Sequence, residues 1–210
     1  MVGHIPLEDV ILVRIQVSQQ QSLCYNCLIM WLYEVEQSIK QLDGKLPRSA
    51  KTVLDIGSEG EEYRNIRQPW NKKLYDYFSS RGMKIFTMDS DPDTKADFVH
   101  DITNPVSEFG RYDLVIATHL LEHVPMDSFQ TVIDNIESLV EDGGYLLASV
   151  PHKYPYHERP IDNMWRPTWE ELRSVFKGEL LHGETIEVEH TLPQYMNDPK
   201  CQVSCVLLKY

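Results

Sequence analysis

The chain is poor in basic residues and has no long apolar run. It contains 20 lysines and arginines against 32 aspartates and glutamates, which leaves a net charge of −12 at pH 7. A surface of that charge repels phosphate backbones, so nucleic acid is not an expected partner. Without a run of about 20 apolar residues, a membrane span is not expected either. The N-terminus also lacks the basic region and apolar core of a signal peptide, so we expect a cytoplasmic protein.

Cysteines are also few. Four are present, as the pairs Cys24/Cys27 and Cys201/Cys205. Paired cysteines can hold zinc, but the glycines and polar residues that flank zinc knuckles are missing. The first pair has the spacing of one helix face, and the second pair shares one face of a predicted strand. Both pairs are therefore expected to pack in the interior, and a disulfide framework is not expected.

The glycine pattern G-x-G-x-x-G is missing as well, which argues against a nicotinamide-dependent dehydrogenase. What is present is the stretch Lys51–Glu61, with the sequence KTVLDIGSEGE. Its short apolar run is typical of a strand that is covered on both faces. Gly57 follows the strand and allows a sharp turn with no Cβ between the backbone and a ligand. The stretch therefore predicts a nucleotide-like ligand at the end of a buried strand.

Strands and helices alternate along the chain, which predicts an α/β fold. We expect a Rossmann-like, doubly wound, mostly parallel sheet of seven strands with helices on both faces. Residues 1–45 are predicted to form a helical extension that packs on the core, and residues 46–210 the main domain. The predicted strands are Thr52–Ile56, Lys84–Met88, Asp97–His100, Tyr112–Thr118, Tyr145–Val150, Thr185–His190 and Gln202–Lys209. The predicted helices are Gln19–Leu42, Trp70–Ser80, Met126–Glu141 and a helix capped by Thr168.

Acids and histidines follow the strands of this predicted sheet. In a doubly wound sheet, ligands bind at the carboxyl ends of the strands. Acidic side chains there suit a ligand with several hydroxyl and amine donors, and they suit a pyrophosphate poorly. An acid 20 to 35 residues after the glycine turn is well placed for ribose hydroxyls. The strand ends carry Asp55 with Gly57, Asp89, Asp101, the run His119–His123, and Pro151 with His152.

These segments resemble the successive motifs of class I S-adenosylmethionine-dependent methyltransferases. The motifs are VLDIGSEG, TMDSDP, ADFVHDI, YDLVIATHLLEHV and LVEDGGYLLASVPH, and the resemblance covers about residues 50–177. The chain is especially similar to the type-11 and type-12 methyltransferases, which include ubiquinone-pathway and sugar O-methyltransferases. The resemblance implies S-adenosylmethionine as cofactor. It also implies contacts to the methionine end from Asp55, Gly57 and Glu59, to the ribose from Asp89 and Ser90, to the adenine from Asp101 and Ile102, and closure over the cofactor by His119 and Leu120.

The loop after the first strand departs from the family pattern. The family usually has D-x-G-x-G-x-G, whereas Glu59 and Glu61 stand at the second and third glycine positions. Two interpretations stay open for how this loop holds the methionine end. Glu59 takes over a contact to the ammonium group, or Arg64 and Arg67 meet the carboxylate.

Methyl transfer to a hydroxyl requires a group that removes the acceptor's proton. Histidine suits this task at neutral pH, and the candidates at the cofactor edge are His119, His123, His152 and His157. A divalent cation is the alternative, because His119, Glu122 and His123 could bind it within one turn. That cluster resembles the E-x-x-E-H motif of small-RNA ribose methyltransferases, with His157 or Asp162 as a fourth ligand.

The loop Pro151–Pro167 is expected to cover the acceptor. Its aromatic and polar residues are the usual lining for a carbohydrate or a phenol, among them Tyr154, Tyr156 and Trp165, with Trp169 just beyond. The segment is similar to its counterpart in glycan methyltransferases, which implies a sugar or glycan hydroxyl as acceptor. A small metabolite, an RNA ribose and a non-catalytic binding module are the alternatives. The apolar stripe of helix Gln19–Leu42 fits a cover over the active site or a homodimer contact. Association with glycan-assembly enzymes is a further expected partnership.

Overall fold

The computed structural model describes residues 32–154, 156, 162–189 and 200–210, without the side chains of Tyr63, Arg67, Glu189 and Lys200. These residues include four α-helices, which are α1 (Leu32–Asp43), α2 (Asn71–Ser80), α3 (Phe129–Ser138) and α4 (Trp169–Ser174). Seven strands are formed by β1 (Thr52–Ile56), β2 (Lys84–Asp89), β3 (Phe98–Val99), β4 (Tyr112–Thr118), β5 (Val140–Lys153), β6 (Glu179–Glu189) and β7 (Lys200–Lys209). None of the described helices is long and apolar enough to cross a membrane.

The strands form one sheet in the order β3-β2-β1-β4-β5-β7-β6. Strands β1 to β5 run parallel to one another. Strand β7 runs antiparallel to both of its neighbours, β5 and β6. Because β1 and β4 are adjacent while the chain winds outward from them in both directions, the sheet has a switch point between these strands. The predicted seven-stranded, mostly parallel sheet is confirmed.

Helices cover both faces of the sheet, as expected for central strands that are buried on both sides. Helices α1 and α2 pack on one face through apolar side chains such as Val35 and Phe78. Helices α3 and α4 pack on the other face, through side chains such as Ile133 and Leu172. This arrangement leaves the carboxyl ends of β1, β2, β4 and β5 along one edge.

Several element bounds differ from the prediction. Strand β3 has two residues instead of four, and α3 begins three residues later than expected, at Phe129. Strand β5 is longer than Tyr145–Val150, because pairing with β4 starts at Val140 and pairing with β7 continues to Lys153. Thr168 caps α4 as predicted, in a capping box with Glu171.

The N-terminal extension is described only in part. Helix α1 overlaps the end of the predicted helix Gln19–Leu42, extends one residue beyond it, and packs on the core through Val35 and Leu42. Its earlier portion lies outside the described residues, together with Cys24 and Cys27, so the domain boundary at residue 45 stays a prediction. Cys201 and Cys205 are buried with Val203 on one side of β7, as predicted from their strand spacing.

Candidate functional site

The turn after β1 is built around Gly57. Its φ is +73°, which favours glycine, and its N–H donates to the carbonyl of Met88 at 2.8 Å. A Cβ on Gly57 would lie 3.3 Å from Cδ1 of Leu120. The structure shows the sharp turn that the sequence predicted, and the close approach to a ligand stays a prediction. The turn therefore joins the ends of β1 and β2 to the segment after β4.

Glu59 occupies a backbone conformation that normally belongs to glycine. Its φ is +55°, in the left-handed region, and its N–H donates to Oδ2 of Asp89 at 3.1 Å. Arg64 holds the same segment by donating to the carbonyls of Ser58, at 2.8 Å, and of Glu59. Burial, with Asp89 and Asp91 nearby, raises the pKa of the Glu59 carboxyl to about 7. The loop thus keeps the path of a glycine loop without the glycine.

Glu59→Gly is expected to raise the free energy of unfolding by about 1 kcal/mol, because a non-glycine residue in the left-handed region costs about 1–2 kcal/mol. Chemical denaturation monitored by circular dichroism measures the change. Glu61→Gly is the matched control, since Glu61 is exposed and does not have a positive φ. That variant should lose stability. Equal losses in both variants would contradict the strain at Glu59.

Asp55 is held by a tyrosine of α2. The Tyr75 hydroxyl donates to Oδ2 of Asp55 at 2.5 Å, and the Arg64 guanidinium lies 5.0 Å from the centre of the Tyr75 ring. Burial raises the pKa of Asp55 to about 6, against the opposing effects of Tyr75 and Arg64. The acid at the end of β1 is therefore oriented, and a cationic group bound beside it would favour its ionised form.

Asp89 ends β2 with both carboxylate oxygens engaged by backbone donors. Oδ1 accepts from the N–H of Asp91 at 2.9 Å, and Oδ2 accepts from Glu59. Burial raises the pKa of Asp89, although these hydrogen bonds oppose it. Each oxygen retains a further lone pair for a ligand hydroxyl. Ser90 follows and is exposed.

Asp101 and Ile102 lie after β3 in different environments. The Asp101 carboxylate accepts hydrogen bonds from the N–H and hydroxyl of Thr103, at 2.9 and 2.8 Å. Ile102 packs in the core beneath, and its carbonyl accepts from Asn135 at 2.8 Å. The contact of this pair with an adenine stays a prediction.

A buried polar network lies where β4 ends. His119 has a φ of +51° and a fully buried side chain, and its Nε2 lies 2.9 Å from Oε2 of Glu34 on α1. Oε1 of Glu34 accepts from the Ser149 hydroxyl at 2.6 Å. On the other side, Nδ1 of His119 lies 3.4 Å from the fully buried carboxylate of Glu122. The predicted base His119 is thus enclosed between two carboxylates.

The two carboxylates keep His119 charged. Burial alone would lower the pKa of His119, but Glu34 and Glu122 raise it to about 10. The pKa of Glu122 is held below its ordinary value, because His123 and His119 outweigh the effect of burial. A histidine that is protonated at neutral pH is unsuited to accept a proton from a substrate. His123 itself is nearly buried, with Nε2 3.8 Å from Glu122.

Stability is expected to fall as the pH rises from about 7 to about 10. The pKa of His119 is about 10 in the folded protein, against about 6.5 for a free histidine. The folded state therefore holds a proton that the unfolded state has lost, so the stabilisation is complete below pH 6.5 and disappears as the pH rises through 10. Thermal unfolding of wild type and His119→Gln across this range measures it. The midpoint should fall more steeply in wild type, and parallel curves would contradict the ion pair.

The structure does not assemble the predicted metal site. Among the described residues, no group of three histidine, cysteine, aspartate or glutamate side chains is arranged to hold a metal ion. Nε2 of His119 faces Glu34, and Asp162, a predicted fourth ligand, pairs with Arg166 at 2.6 Å. His157 lies outside the described residues. His119, Glu122 and His123 therefore form an ion-pair cluster in which each charge has a protein partner.

His152, at the end of β5, has a different setting. Its Nδ1 lies 2.9 Å from the carbonyl of Pro167 and 3.2 Å from that of Arg166. Since carbonyl oxygens only accept, Nδ1 carries the proton, and in the neutral imidazole Nε2 bears the lone pair. The side chain is half-buried. Of the candidate bases that the structure describes, His152 has the tautomer and exposure that the role requires.

The aromatic residues after β5 make packing contacts, and their predicted contact with an acceptor stays a prediction. Trp165 packs edge-on against Phe129 with ring centres 4.7 Å apart, and Trp169 fills the space beside Gly183. Tyr154 is buried, whereas Tyr156 is 54% exposed. Trp165 and Trp169 are half-buried, so among these four described aromatic residues Tyr156 is the most exposed.

Sequence reasoning missed two residues that organise this edge, Glu34 and Tyr75, and the predicted acceptor loop supplies a third, Asn163. Asn163 donates to the carbonyls of Leu121 and Val124, at 2.7 and 2.8 Å, and so ties the segment after β5 to the turn after β4. Only Glu34 left a signal in the sequence. It lies four residues after Met30 on the apolar stripe of the helix, where an acid implies a buried partner.

The residues at this edge fit S-adenosylmethionine. A Cβ at Gly57 would crowd Leu120 at 3.3 Å, and oriented acids at Asp55 and Asp89 suit the ammonium group and the ribose hydroxyls. The guanidinium of Arg64 lies in the same loop and suits a carboxylate. The carboxylates of Asp55 and Asp89 are oriented by hydrogen bonds within the protein.

Fold and sequence together identify a class I methyltransferase domain. Residues 31–184 match the model of the family described as methyltransferase domain, and the chain belongs to that family. The chain therefore carries an S-adenosylmethionine-dependent methyltransferase domain, with S-adenosylmethionine as cofactor. No curated protein sequence matches this chain closely enough to count as a relative.

Solved structures with the same fold are distant in sequence. TehB from Haemophilus influenzae is 18% identical with a TM-score of 0.57, over 82% of this chain and 61% of that chain. The 1,6-didemethyltoxoflavin-N1-methyltransferase from Burkholderia thailandensis is 15% identical with a TM-score of 0.55, over 100% of this chain and 92% of that chain. N-methyltransferase NodS from Bradyrhizobium japonicum, in complex with S-adenosylhomocysteine, is 17% identical with a TM-score of 0.50, over 84% of this chain and 87% of that chain. This chain therefore spans less than two thirds of TehB, and the likenesses concern the fold alone.

Proposed function

We propose that the protein methylates a hydroxyl group of a small-molecule acceptor, with His152 as the general base. The hydrogen bond from Nδ1 of His152 to the Pro167 carbonyl carries this proposal, because it leaves Nε2 as the proton acceptor. A hydroxyl is a weak nucleophile until its proton is removed, so an oriented base contributes directly to the rate. A sugar hydroxyl is the first acceptor class to test, on the strength of the sequence resemblance.

The cofactor pocket of this proposal lies at the ends of β1, β2 and β4. Asp55 would take the ammonium group and Asp89 the two ribose hydroxyls. Gly57 and Leu120 would form the floor and the wall of the pocket, and Arg64 would meet the methionine carboxylate. When bound, the cofactor supplies an electrophilic methyl group on a sulfonium. The protein's own part is to orient the acceptor, accept its proton and exclude water.

The acceptor is tested with methyl-labelled S-adenosylmethionine and a matched panel of sugars, phenols and amines. Label recovered in alkali-stable ethers of the sugars supports the proposal. Label recovered only in the amines would overturn it. Amines belong in the panel because NodS and the toxoflavin enzyme are described as N-methyltransferases. Homodimerisation and association with glycan-assembly enzymes stay predictions from the sequence.

A further inference from the structure

Glu34 is a buried carboxylate that joins three elements of the fold. It lies on α1 with no exposed surface. Its Oε1 accepts from the Ser149 hydroxyl on β5 at 2.6 Å, and its Oε2 lies 2.9 Å from Nε2 of His119, which follows β4. A buried carboxylate persists only where such partners compensate for lost water. The relative placement of α1, β5 and the end of β4 is therefore tightly constrained at this point.

His119 is held through its main chain as well as its side chain. Its N–H donates to the Ser149 carbonyl at 2.9 Å, and its φ of +51° is unfavourable for a residue with a Cβ. A residue keeps such a strained conformation only where several surrounding contacts hold it in place. The ion pair with Glu34 is one of those contacts.

Leu120 follows His119 directly and reaches the turn after β1. Its Cδ1 lies 3.3 Å from the position that a Cβ on Gly57 would take. A change in the backbone of His119 would move Leu120 relative to this turn, because the two residues share a peptide bond. Contacts thus run without a gap from Glu34 through His119 and Leu120 to Gly57.

We propose that Glu34 is a positioning residue for the cofactor pocket. By holding His119 in its left-handed conformation, it keeps Leu120 packed against Gly57. The proposal rests on the assignment of Gly57 and Leu120 to the cofactor pocket under the proposed function. In this role Glu34 touches no reacting atom and acts on affinity through the shape of the pocket.

Isothermal titration of the full chain with S-adenosylhomocysteine tests this role. Glu34→Ala is expected to raise Kd about tenfold, which corresponds to about 1.4 kcal/mol. Glu34→Gln should stay within about threefold of wild type, because its amide oxygen can accept from Ser149 and its amide nitrogen can donate to a neutral His119. Glu36→Ala is the matched control on the same helix, since Glu36 is exposed and pairs with Lys73. It should leave Kd unchanged.

A double-mutant cycle separates positioning from general destabilisation. In a Leu120→Ala background, Glu34→Ala should raise Kd by less than about twofold, because the side chain through which Glu34 acts is gone. If the two substitutions together raise Kd by the product of their separate factors, the proposal is overturned. If Glu34→Ala does not give a cooperative thermal transition, His119→Gln replaces it in the cycle with the same expectation.

Asp89→Ala, titrated in parallel, distinguishes the two possible failures. If Asp89→Ala weakens binding while Glu34→Ala does not, the positioning role of Glu34 is wrong and the assigned pocket stands. If Asp89→Ala leaves Kd unchanged, the assigned pocket is wrong, and the role of Glu34 falls with it.

Discussion

Asp89→Ala is expected to weaken the binding of S-adenosylhomocysteine by about 100-fold. The Asp89 carboxylate ends β2 and is oriented by the N–H groups of Asp91 and Glu59, at 2.9 and 3.1 Å. Its remaining lone pairs can accept two neighbouring ribose hydroxyls without further rearrangement. A hydrogen bond to a charged group contributes about 1.5–3 kcal/mol. Loss of two such bonds, at the low end of that range, gives about 3 kcal/mol, or roughly 100-fold.

Isothermal titration at neutral pH measures this loss, with two comparison variants. Asp89→Asn preserves the shape but keeps only one acceptor oxygen, so an intermediate loss is expected. Asp93→Ala alters an exposed acid of the same segment and should bind like wild type. Equal Kd values for Asp89→Ala and Asp93→Ala would show that the ribose binds elsewhere.

His152→Asn is expected to lower kcat by about 100- to 10,000-fold, the usual contribution of a general base. The asparagine amide nitrogen lies near the position of Nδ1, so it can still donate to the Pro167 carbonyl. The backbone at residues 166 and 167 should therefore keep its position, while the proton acceptor at Nε2 is lost. Because His152 is assigned to the acceptor and not to the cofactor, Kd for S-adenosylhomocysteine should change by less than about twofold.

Steady-state kinetics with the acceptor identified in the labelling panel measures the effect. His182→Asn is the control for loss of a histidine, since His182 lies on β6 beside Glu184, away from the carboxyl ends of the parallel strands. It should retain wild-type kcat. An unchanged kcat in His152→Asn would exclude His152 as the base, and a fall in cofactor affinity of the same size would reassign it to cofactor binding.

The parallel strands were predictable because each is a short apolar run bounded by turn residues. Strand β1 has the predicted bounds, Thr52–Ile56, and so does β4, Tyr112–Thr118. Strands that are buried on both faces carry apolar side chains on both faces, and this produces a continuous apolar run in the sequence. The bounds of β3 and β5 were less predictable, because pairing with neighbouring strands decides where a ladder starts and stops.

The acids of the cofactor edge were predictable from position alone. Asp55 and Asp89 come at the ends of β1 and β2, and parallel strands bring their carboxyl ends to one edge. Glu59 was noted as a departure from a glycine position. The structure adds that its φ of +55° is the conformation for which a glycine is usual. Chain direction and residue type were sufficient for these assignments.

The roles of the histidines could not be read from the sequence. The three histidines at this edge all follow strands, namely His119, His123 and His152. Their positions in the sequence do not distinguish a base from a structural group. What separates them is contact with distant residues. Glu34 is 85 residues away from His119, and Pro167 is 15 residues from His152. A buried ion pair makes the first a charged structural group, and a hydrogen bond to a backbone carbonyl orients the ring of the second.

The sequence by itself determined the family, the sheet and the acids at its edge, since these depend on local pattern and strand order. The tertiary structure alone decided which acids and bases are paired in the interior. The pKa of a side chain depends on burial and on charges within a few ångströms, and folding brings those charges together from distant parts of the chain. Hence Glu34, which the sequence shows only as an acid on an apolar stripe, lies at the centre of the buried network, and the predicted metal ligands His119, Glu122 and His123 pair with one another.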